Sequence, residues 1–290
     1  FITSPEILSL FSIYITNQFL KEFPKVKNVN LLELGPGNGL LSMDIYDYLK
    51  SKNVIVNDLT LLEKSEYFRE KISEKSEVKV NFIKNIYDYK IDNGDVVFIY
   101  SNEFFDAIGS KQFIYDNGNF NEIKISKNND EYFLIKDSTI ISRELLNIYS
   151  SYNFKDNDIL EHSNLILNIL SDIQKLECKK YFFTTTDYGY TKLPFKSTLR
   201  LLSNHKKLNL FDKFENVDYS FGVNFELMNS FFLKNNPSII YQKDLILNNL
   251  PSEYLKSSDK NIKEIIDLIS GKKFGGMGTS FLNLSFKKNE

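Results

Sequence analysis

The residues Asn30-Leu31-Leu32-Glu33-Leu34 run straight into Gly35-Pro36-Gly37-Asn38-Gly39, and Leu40 to Leu49 then carry apolar side chains at helical spacing. A short apolar run, a glycine turn and a helix, in that order, open a βαβ unit whose turn faces a ligand beyond the strand end. The alternation continues. Val54 to Asp58 predicts a second strand, 61–74 a helix, Val78 to Ile83 a third strand, and Asp95 to Tyr100 a fourth, closed by Ser101-Asn102-Glu103. Strands separated by helices pair in parallel, because each crossover carries the chain back to the same end of the sheet.

Beyond the fourth strand the pattern changes. Lys111 to Tyr115, Glu122 to Ile125 and Tyr132 to Ile135 are short alternating runs joined by Asn/Gly turns such as Asp116-Asn117-Gly118-Asn119. They predict an antiparallel meander. Helices are expected near 140–150 and 163–176, and a fifth sheet strand over Lys180 to Thr186. A long connection with a helix around 224–234 follows, then a strand near 238–241, helices near 243–249 and 259–270, and a last strand at about 280–286. The chain reads as one elaborated domain over 1–290, with a core of 25–110 and 178–290 and an insertion of approximately 111–177. Residues 1–23 read as a helix whose start carries Thr3, Ser4, Pro5 and Glu6 as capping signals. The chain opens on Phe1 rather than Met, so an incomplete N-terminus is expected.

Composition narrows the class of function. Thirty-six Lys and Arg against 38 Asp and Glu give a net charge of -2, without the basic excess of a general nucleic-acid binder. One Cys and two His exclude a disulfide framework and leave too few ligands for a protein-held zinc site. No apolar run approaches the ~20 residues that a membrane-spanning helix needs.

The glycine turn acquires chemistry from the acid before it. Gly35 lets the chain turn, Gly37 lets backbone approach a ligand, and Gly39 permits close helix–strand packing. Glu33 would repel the pyrophosphate of a dinucleotide, which argues against a dehydrogenase. It suits a cationic or amine-bearing ligand such as S-adenosylmethionine, with its sulfonium and amino group. Val56-Asn57-Asp58 closes the expected second strand, where an Asn or Asp can take two ribose hydroxyls; either Asn57 or Asp58 fits, depending on one residue of register. Asp88, after the third strand, is a weaker candidate near the adenine edge. In Ser101-Asn102-Glu103-Phe104-Phe105-Asp106-Ala107 the two acids stand three apart beyond a strand end, with aromatic residues to wall a pocket. Paired carboxylates receive a guanidinium through two charged hydrogen bonds; the same pattern also suits an ordinary helix start. Asp187-Tyr188-Gly189-Tyr190 ends the fifth strand on the same rim, where Asp187 could touch an acceptor, and His205 follows as an acceptor contact or a solvated side chain.

These residues resemble the MidA family of S-adenosylmethionine-dependent methyltransferases. The resemblance rests on Phe1-Ile2-Thr3-Ser4-Pro5-Glu6-Ile7, Leu32 to Gly39, Asn102-Glu103-Phe104-Phe105-Asp106-Ala107, Gln112-Phe113, Asp187 to Tyr190, Thr198-Leu199-Arg200, His205, and Met277-Gly278 before Phe281 to Leu284. It implies an α/β, Rossmann-like class I methyltransferase fold: a mostly parallel seven-stranded sheet with a meander and helical insertion after the fourth strand. It further implies dimethylation of an arginine in the 49-kDa-type subunit of respiratory complex I, during assembly of that complex. By the match, S-adenosyl-L-methionine is the cofactor, held by Glu33, Gly35 and Gly37, with Asn57 preferred to its rival Asp58 at the ribose; Gly39 and Asp88 complete the cofactor set read from the residues themselves. Asn102, Glu103 and Asp106 would form the catalytic set, and Thr3, Ser4, Pro5, Glu6, Phe104, Asp187, Tyr188 and His205 the acceptor wall.

Two departures stand out. The acid and Ser-Pro pair expected after the second strand are absent at Asn57-Asp58-Leu59-Thr60, and Gly222 stands where a His normally precedes Val223-Asn224-Phe225. They motivate the rival reading of a weakened relative acting as an assembly scaffold; a methyltransferase for another protein or a small molecule is the second rival. A bacterial origin, favoured by the Asn- and Lys-rich bias, implies the cytoplasm, and a eukaryotic one the mitochondrial matrix.

Overall fold

The computed structural model describes residues 9–91, 96–129, 131–138, 147–203, 206–212, 217–271 and 277–289. In chain order these form α1 (Leu10–Glu22), β1 (Asn28–Leu34), α2 (Leu40–Ser51), β2 (Ile55–Leu62), α3 (Glu66–Lys75), β3 (Asn81–Ile83), β4 (Val96–Asn102), β5 (Lys111–Asp116), β6 (Asn119–Asn128), β7 (Glu131–Asp137) and β8 (Ile159–His162). There follow α4 (Asn164–Gln174), β9 (Lys180–Tyr190), β10 (Arg200–Ser203), β11 (Lys206–Lys207), β12 (Asp218–Ser220), β13 (Val223–Asn224) and α5 (Phe225–Phe231). The chain closes with β14 (Ser238–Tyr241), α6 (Gln242–Asn249), α7 (Ser252–Leu255), α8 (Lys260–Ile269), α9 (Met277–Ser280) and β15 (Phe281–Lys288). Most of the helix expected near 140–150 lies outside the described residues.

The main sheet runs β14-β15-β9-β4-β1-β2-β3, and β13 adds to β9. Only β15 is antiparallel to its neighbours in this path, so the sheet is the mostly parallel, seven-stranded path that the class I methyltransferase reading requires. Alternation along each central strand feeds two cores, because successive side chains leave opposite faces. From β1, Val29 and Leu31 enter the core under α1, α2 and α6, whereas Leu32 and Leu34 enter the core under α4 and α5. Phe98 and Tyr100 divide from Val97 and Ile99 in the same way. In the first core Phe19 of α1 stacks on Phe98, centroids 4.6 Å apart and planes 7° from parallel.

The meander expected after β4 forms, with longer strands than predicted. It is joined by β8 into an antiparallel sheet ordered β7-β6-β5-β8. A second antiparallel sheet, β11-β10-β12, occupies what the sequence presents as a connection. Its strands have four, two and three residues, too short to show alternation.

The third strand starts at Asn81 rather than Val78 and the fifth sheet strand, β9, runs on to Tyr190, but the boundary that bears on the site is that of β2. The second strand does not end at Asp58 but runs to Leu62, because Leu59, Thr60, Leu61 and Leu62 are all buried and continue the pairing with β1. α3 starts only at Glu66, with the Ser65 hydroxyl accepting from Phe68 N–H at 3.4 Å. The register shifts between Val29 and Asn30, which makes Asn57 the extra residue of a β-bulge. Asn57 and Asp58 therefore lie four or more residues from the carboxyl end of β2. Among the described residues no helix is long and apolar enough to cross a membrane.

Candidate active site

β1 and β2 finish level, Leu34 beside Leu62, and Gly35 N–H then donates to the Leu62 carbonyl at 3.1 Å. Gly35 turns at φ 67°, and a Cβ there would lie 2.4 Å from Cδ2 of Phe104. The position requires glycine twice over, for the left-handed backbone and for the ring packed on it. Gly35→Ala is expected to cost about 2–4 kcal/mol in urea unfolding, and Phe104→Ala in the same chain to return only part of that, because the backbone strain persists. Full recovery in the double variant would show that the ring contact alone matters. A Cβ at Gly37, where φ is 55°, would meet nothing within 4 Å, so this peptide lies bare at the site.

Glu33 is the last side chain of β1 on the α2 face. It is 2% exposed, and it accepts a hydrogen bond from the Ser42 hydroxyl of α2, which lies 2.6 Å from the Tyr100 hydroxyl of β4. Burial pushes its carboxyl up to about 8, against the opposing pull of Ser42, and the neighbouring Glu63 raises it further. A carboxylate held dry beside another acid calls for a cation in the adjoining space.

β4 ends in Asn102, and the chain then turns at Glu103, whose φ is 49° and whose N–H donates to the Thr186 carbonyl at 2.9 Å. Asn102 donates from Nδ2 to Glu103 Oε1 at 3.3 Å, whereas its buried Oδ1 has no hydrogen-bond partner among the described residues. Asp106 is 6% exposed. Its N–H donates to Asp187 Oδ1 at 3.2 Å and its carbonyl accepts from Phe221 N–H at 2.9 Å. Burial pushes the Asp106 carboxyl up to about 6, while hydrogen bonds from Ala107 and Asp187 and the Arg200 charge hold it from rising more.

These pieces surround one cavity of about 540 Å³, within the range of small-molecule sites. Its floor is Glu33 with the turn from Gly35 to Asn38; one wall is Asn102, Glu103, Asp106 and Ala107; Leu41 and Phe68 come from α2 and α3. The β10–β12 sheet supplies the roof through Arg200, Leu202, Asp218, Tyr219 and Ser220. Arg200 lies over the Tyr188 ring, its Cζ 3.4 Å from the centroid.

The residues singled out in sequence are thus distributed unequally. Glu33, Gly35, Gly37, Asn102, Glu103 and Asp106 line the cavity. Gly39 packs against Ile72 instead, a Cβ there lying 3.0 Å from Cγ1. Asn57 and Asp58 are corrected out of the site: they sit in the half of β2 remote from its carboxyl end, where Asp58 accepts from Thr60 and Asn81. Asp88 is exposed, in a single 3-10 turn, bonded to Asn85 at 3.2 Å. Phe104 covers Gly35 rather than the cavity, because the turn at Glu103 directs it back onto the glycine loop. Asp187 has no exposed surface; β9 continues past it to Tyr190, so it lies under the acidic segment. Tyr188 reaches the site only through Arg200. Thr3, Ser4, Pro5, Glu6 and His205 lie outside the described residues.

The sequence reading gave no role to Phe68, Arg200 and Tyr219, which line the cavity, or to Glu63, which acts on it through the Glu33 carboxyl. Glu63 is the first residue after β2, with Oε1 accepting from Ser65 N–H at 2.7 Å. It was legible in part: Leu59, Leu61 and Leu62 are apolar around Thr60, and Glu63 is the next acid along, two residues before Ser65.

A cation-bearing cofactor with an adenosine moiety fits these features. Among the described residues the Asn102 Oδ1 atom lacks a donor, Glu33 is buried within reach of the Glu63 charge, and Gly37 leaves its peptide open. Comparisons with known proteins agree. A family described as S-adenosyl-L-methionine-dependent methyltransferases matches residues 13–238. Two crystal structures of COG1565 superfamily proteins from Burkholderia thailandensis share the fold. One, bound to S-adenosyl-homocysteine, is 16% identical with a TM-score of 0.79, over 99% of this chain and 79% of that one. The other, a native structure, is 16% identical with a TM-score of 0.82, over 99% and 81%. No curated protein matches the sequence.

Proposed function

The chain belongs to that family of S-adenosyl-L-methionine-dependent methyltransferases, and from this premise we propose that it methylates an arginine side chain of a protein. The observation that carries the acceptor class is the pair Glu103 and Asp106, which line the same cavity as the glycine turn. Two acids can grip a guanidinium by charged hydrogen bonds and hold one of its nitrogens in line with a methyl donor.

The cofactor supplies an electrophilic methyl group on a sulfonium. Glu33 would take its ammonium, aided by Asn102 Oδ1, while the Gly35–Gly37 peptides admit it closely. Glu63, at the end of β2, would take the ribose hydroxyls in place of Asn57 or Asp58. Glu103 and Asp106 would orient the acceptor nitrogen and offset the positive charge that it gains, so the work is placement and electrostatics rather than covalent catalysis. The aromatic Phe68 and Tyr219 flank the cavity and would narrow water access.

By resemblance to the MidA family, the proposed acceptor is the 49-kDa-type subunit of respiratory complex I, which would place the protein in the bacterial cytoplasm or the mitochondrial matrix. The scaffold reading drew on a lost acid after the second strand and on Gly222 in place of a His; Glu63, in the ribose role proposed for it, would answer the first of these and leaves the second standing. The test is to incubate the protein with methyl-labelled S-adenosyl-L-methionine and the candidate subunit, then locate the label by mass spectrometry. Label on an arginine is expected; transfer confined to lysine, a carboxylate or a small molecule would overturn the acceptor assignment.

A further inference from the structure

The carboxyl group of Asp187 is built into the sheet under the acidic wall, and methyl transfer as proposed makes no use of it. It is fully buried in β9, paired with Leu282 of β15 on one side, while Asn102 of β4 stands opposite the adjacent Thr186. Its Oδ1 accepts from Asp106 N–H at 3.2 Å and its Oδ2 from the Thr185 hydroxyl at 2.8 Å. Thr185 in turn accepts from Ser101 at 2.8 Å, so the Thr185 proton is committed to Asp187. The charged groups that face it are acids, Asp106 and then Glu103, both from the segment after β4. β15 offers Leu282 at this register, and the charge of Arg200 in the roof acts on Asp106.

Two carboxyl groups that share a dry site, with Asp187 Oδ1 seated on the Asp106 N–H, do not both ionise. Solvent access and charge decide which one keeps the proton: Asp106 lines the cavity and meets Arg200, whereas Asp187 meets no solvent and, among the described residues, no cation. We propose that Asp187 stands as a neutral carboxylic acid that donates a hydrogen bond to the Asp106 carboxylate, so that the pair carries one negative charge and presents it on the cavity wall. Asp187 is then a positioning residue. It fixes the Asp106 side chain from below while the Asp106 backbone is held by Asp187 on one side and Phe221 on the other. Burial, followed by the Asp106 charge, raises the Asp187 carboxyl well above the carboxylate range, and the hydrogen bond from Asp187 pulls Asp106 down. A carboxylic acid kept neutral by its surroundings so that it can donate is an established device in enzyme sites.

The inference rests on the reading that Asp106 faces the acceptor, but its first test does not. The 13C shift of the Asp187 side-chain carboxyl, followed by NMR in the whole protein, is expected to report the protonated form at pH 7. An ionised signal there overturns the proposal whatever the acceptor proves to be. Conversely, a protonated Asp187 with no arginine methylation sinks the acceptor assignment and leaves the pair intact. In the methyl-transfer assay, Asp187→Ala removes a donor to the charged form of Asp106. It is expected to lower kcat about tenfold to hundredfold and to move the acid limb of the pH profile to higher pH. Asp187→Asn, whose amide nitrogen can donate the same bond once the Thr185 hydroxyl turns its proton away, is expected to recover part of kcat and return the limb. An acid limb unmoved in Asp187→Ala, or an Asn variant no better than the Ala variant, overturns it.

Discussion

Replacing Glu33 by Gln is expected to weaken S-adenosyl-L-methionine binding by roughly hundredfold or more while making the cofactor-free protein more stable. The affinity is lost because a buried charge pair is cut at one partner, which typically costs ~2–5 kcal/mol. The stability is gained because the same carboxylate is a liability without its ligand. The Glu33 carboxyl is raised from 4.5 to about 8 by burial. Between those two values the unfolded chain releases a proton that the folded chain keeps, so the cofactor-free enzyme loses stability as pH rises through that window. Gln keeps an acceptor for the Ser42 hydroxyl and removes the titration. The thermal midpoint of the variant at pH 8 should therefore exceed that of the wild type by several degrees, at ~2–4 °C per kcal/mol. Calorimetry supplies a second readout. Below pH 8 the cofactor must displace a proton from Glu33, so wild-type binding should tighten with rising pH up to that point, and its apparent enthalpy should depend on the buffer. An enthalpy independent of buffer in the wild type would falsify the assignment of the ammonium to Glu33.

The second large effect is expected at the paired acids after β4. Glu103→Gln and Asp106→Asn should each lower kcat for the acceptor protein by about 10²–10³, with the cofactor dissociation constant changed far less. Asp106 titrates near 6 in the folded protein because burial disfavours its charge. Below that pH it is neutral and grips a guanidinium poorly, so kcat/KM should fall on the acid side with an apparent value near 6. The acid limb should vanish in Asp106→Asn. Because its native value lies above the ordinary 3.8, the Asp106 charge also costs the fold stability above pH 6, and the Asn variant should unfold no more readily than the wild type at pH 7. Variants with undiminished methyl transfer would leave the paired acids without a catalytic role.

What the sequence showed and what it concealed differ by the range of the interactions involved. The β1 turn was legible because Gly35, Gly37 and Glu33 lie within five residues, and a strand, a turn and a helix each leave a local signature. The paired acids of the Asn102–Asp106 segment were legible for the same reason. The end of β2 was misjudged because Asn57-Asp58 looks like a terminator locally; pairing with β1 and burial of Leu59 to Leu62 overrode that signal and carried the strand to Glu63. The roof was hidden because β10 and β12 are too short to show a period and pair with each other across the chain between residues 203 and 218. Phe104 shows the limit most plainly. Its neighbours suggested a cavity wall, yet its ring fills the space that the missing Cβ of Gly35 leaves, 69 positions earlier in the chain.

The sequence by itself determined the fold class, the position of the glycine turn and the identity of the acids, since periodicity and turn chemistry act over a few residues. Only the tertiary structure decided which acids share a cavity and which lie beneath it. Glu33, Glu103 and Asp106 acquire their environments from strands and helices distant in the chain, and Asp187 is buried by the two strands that flank β9. Ionisation in a protein follows from solvent access and from charges brought near in space, and neither is a property of local sequence.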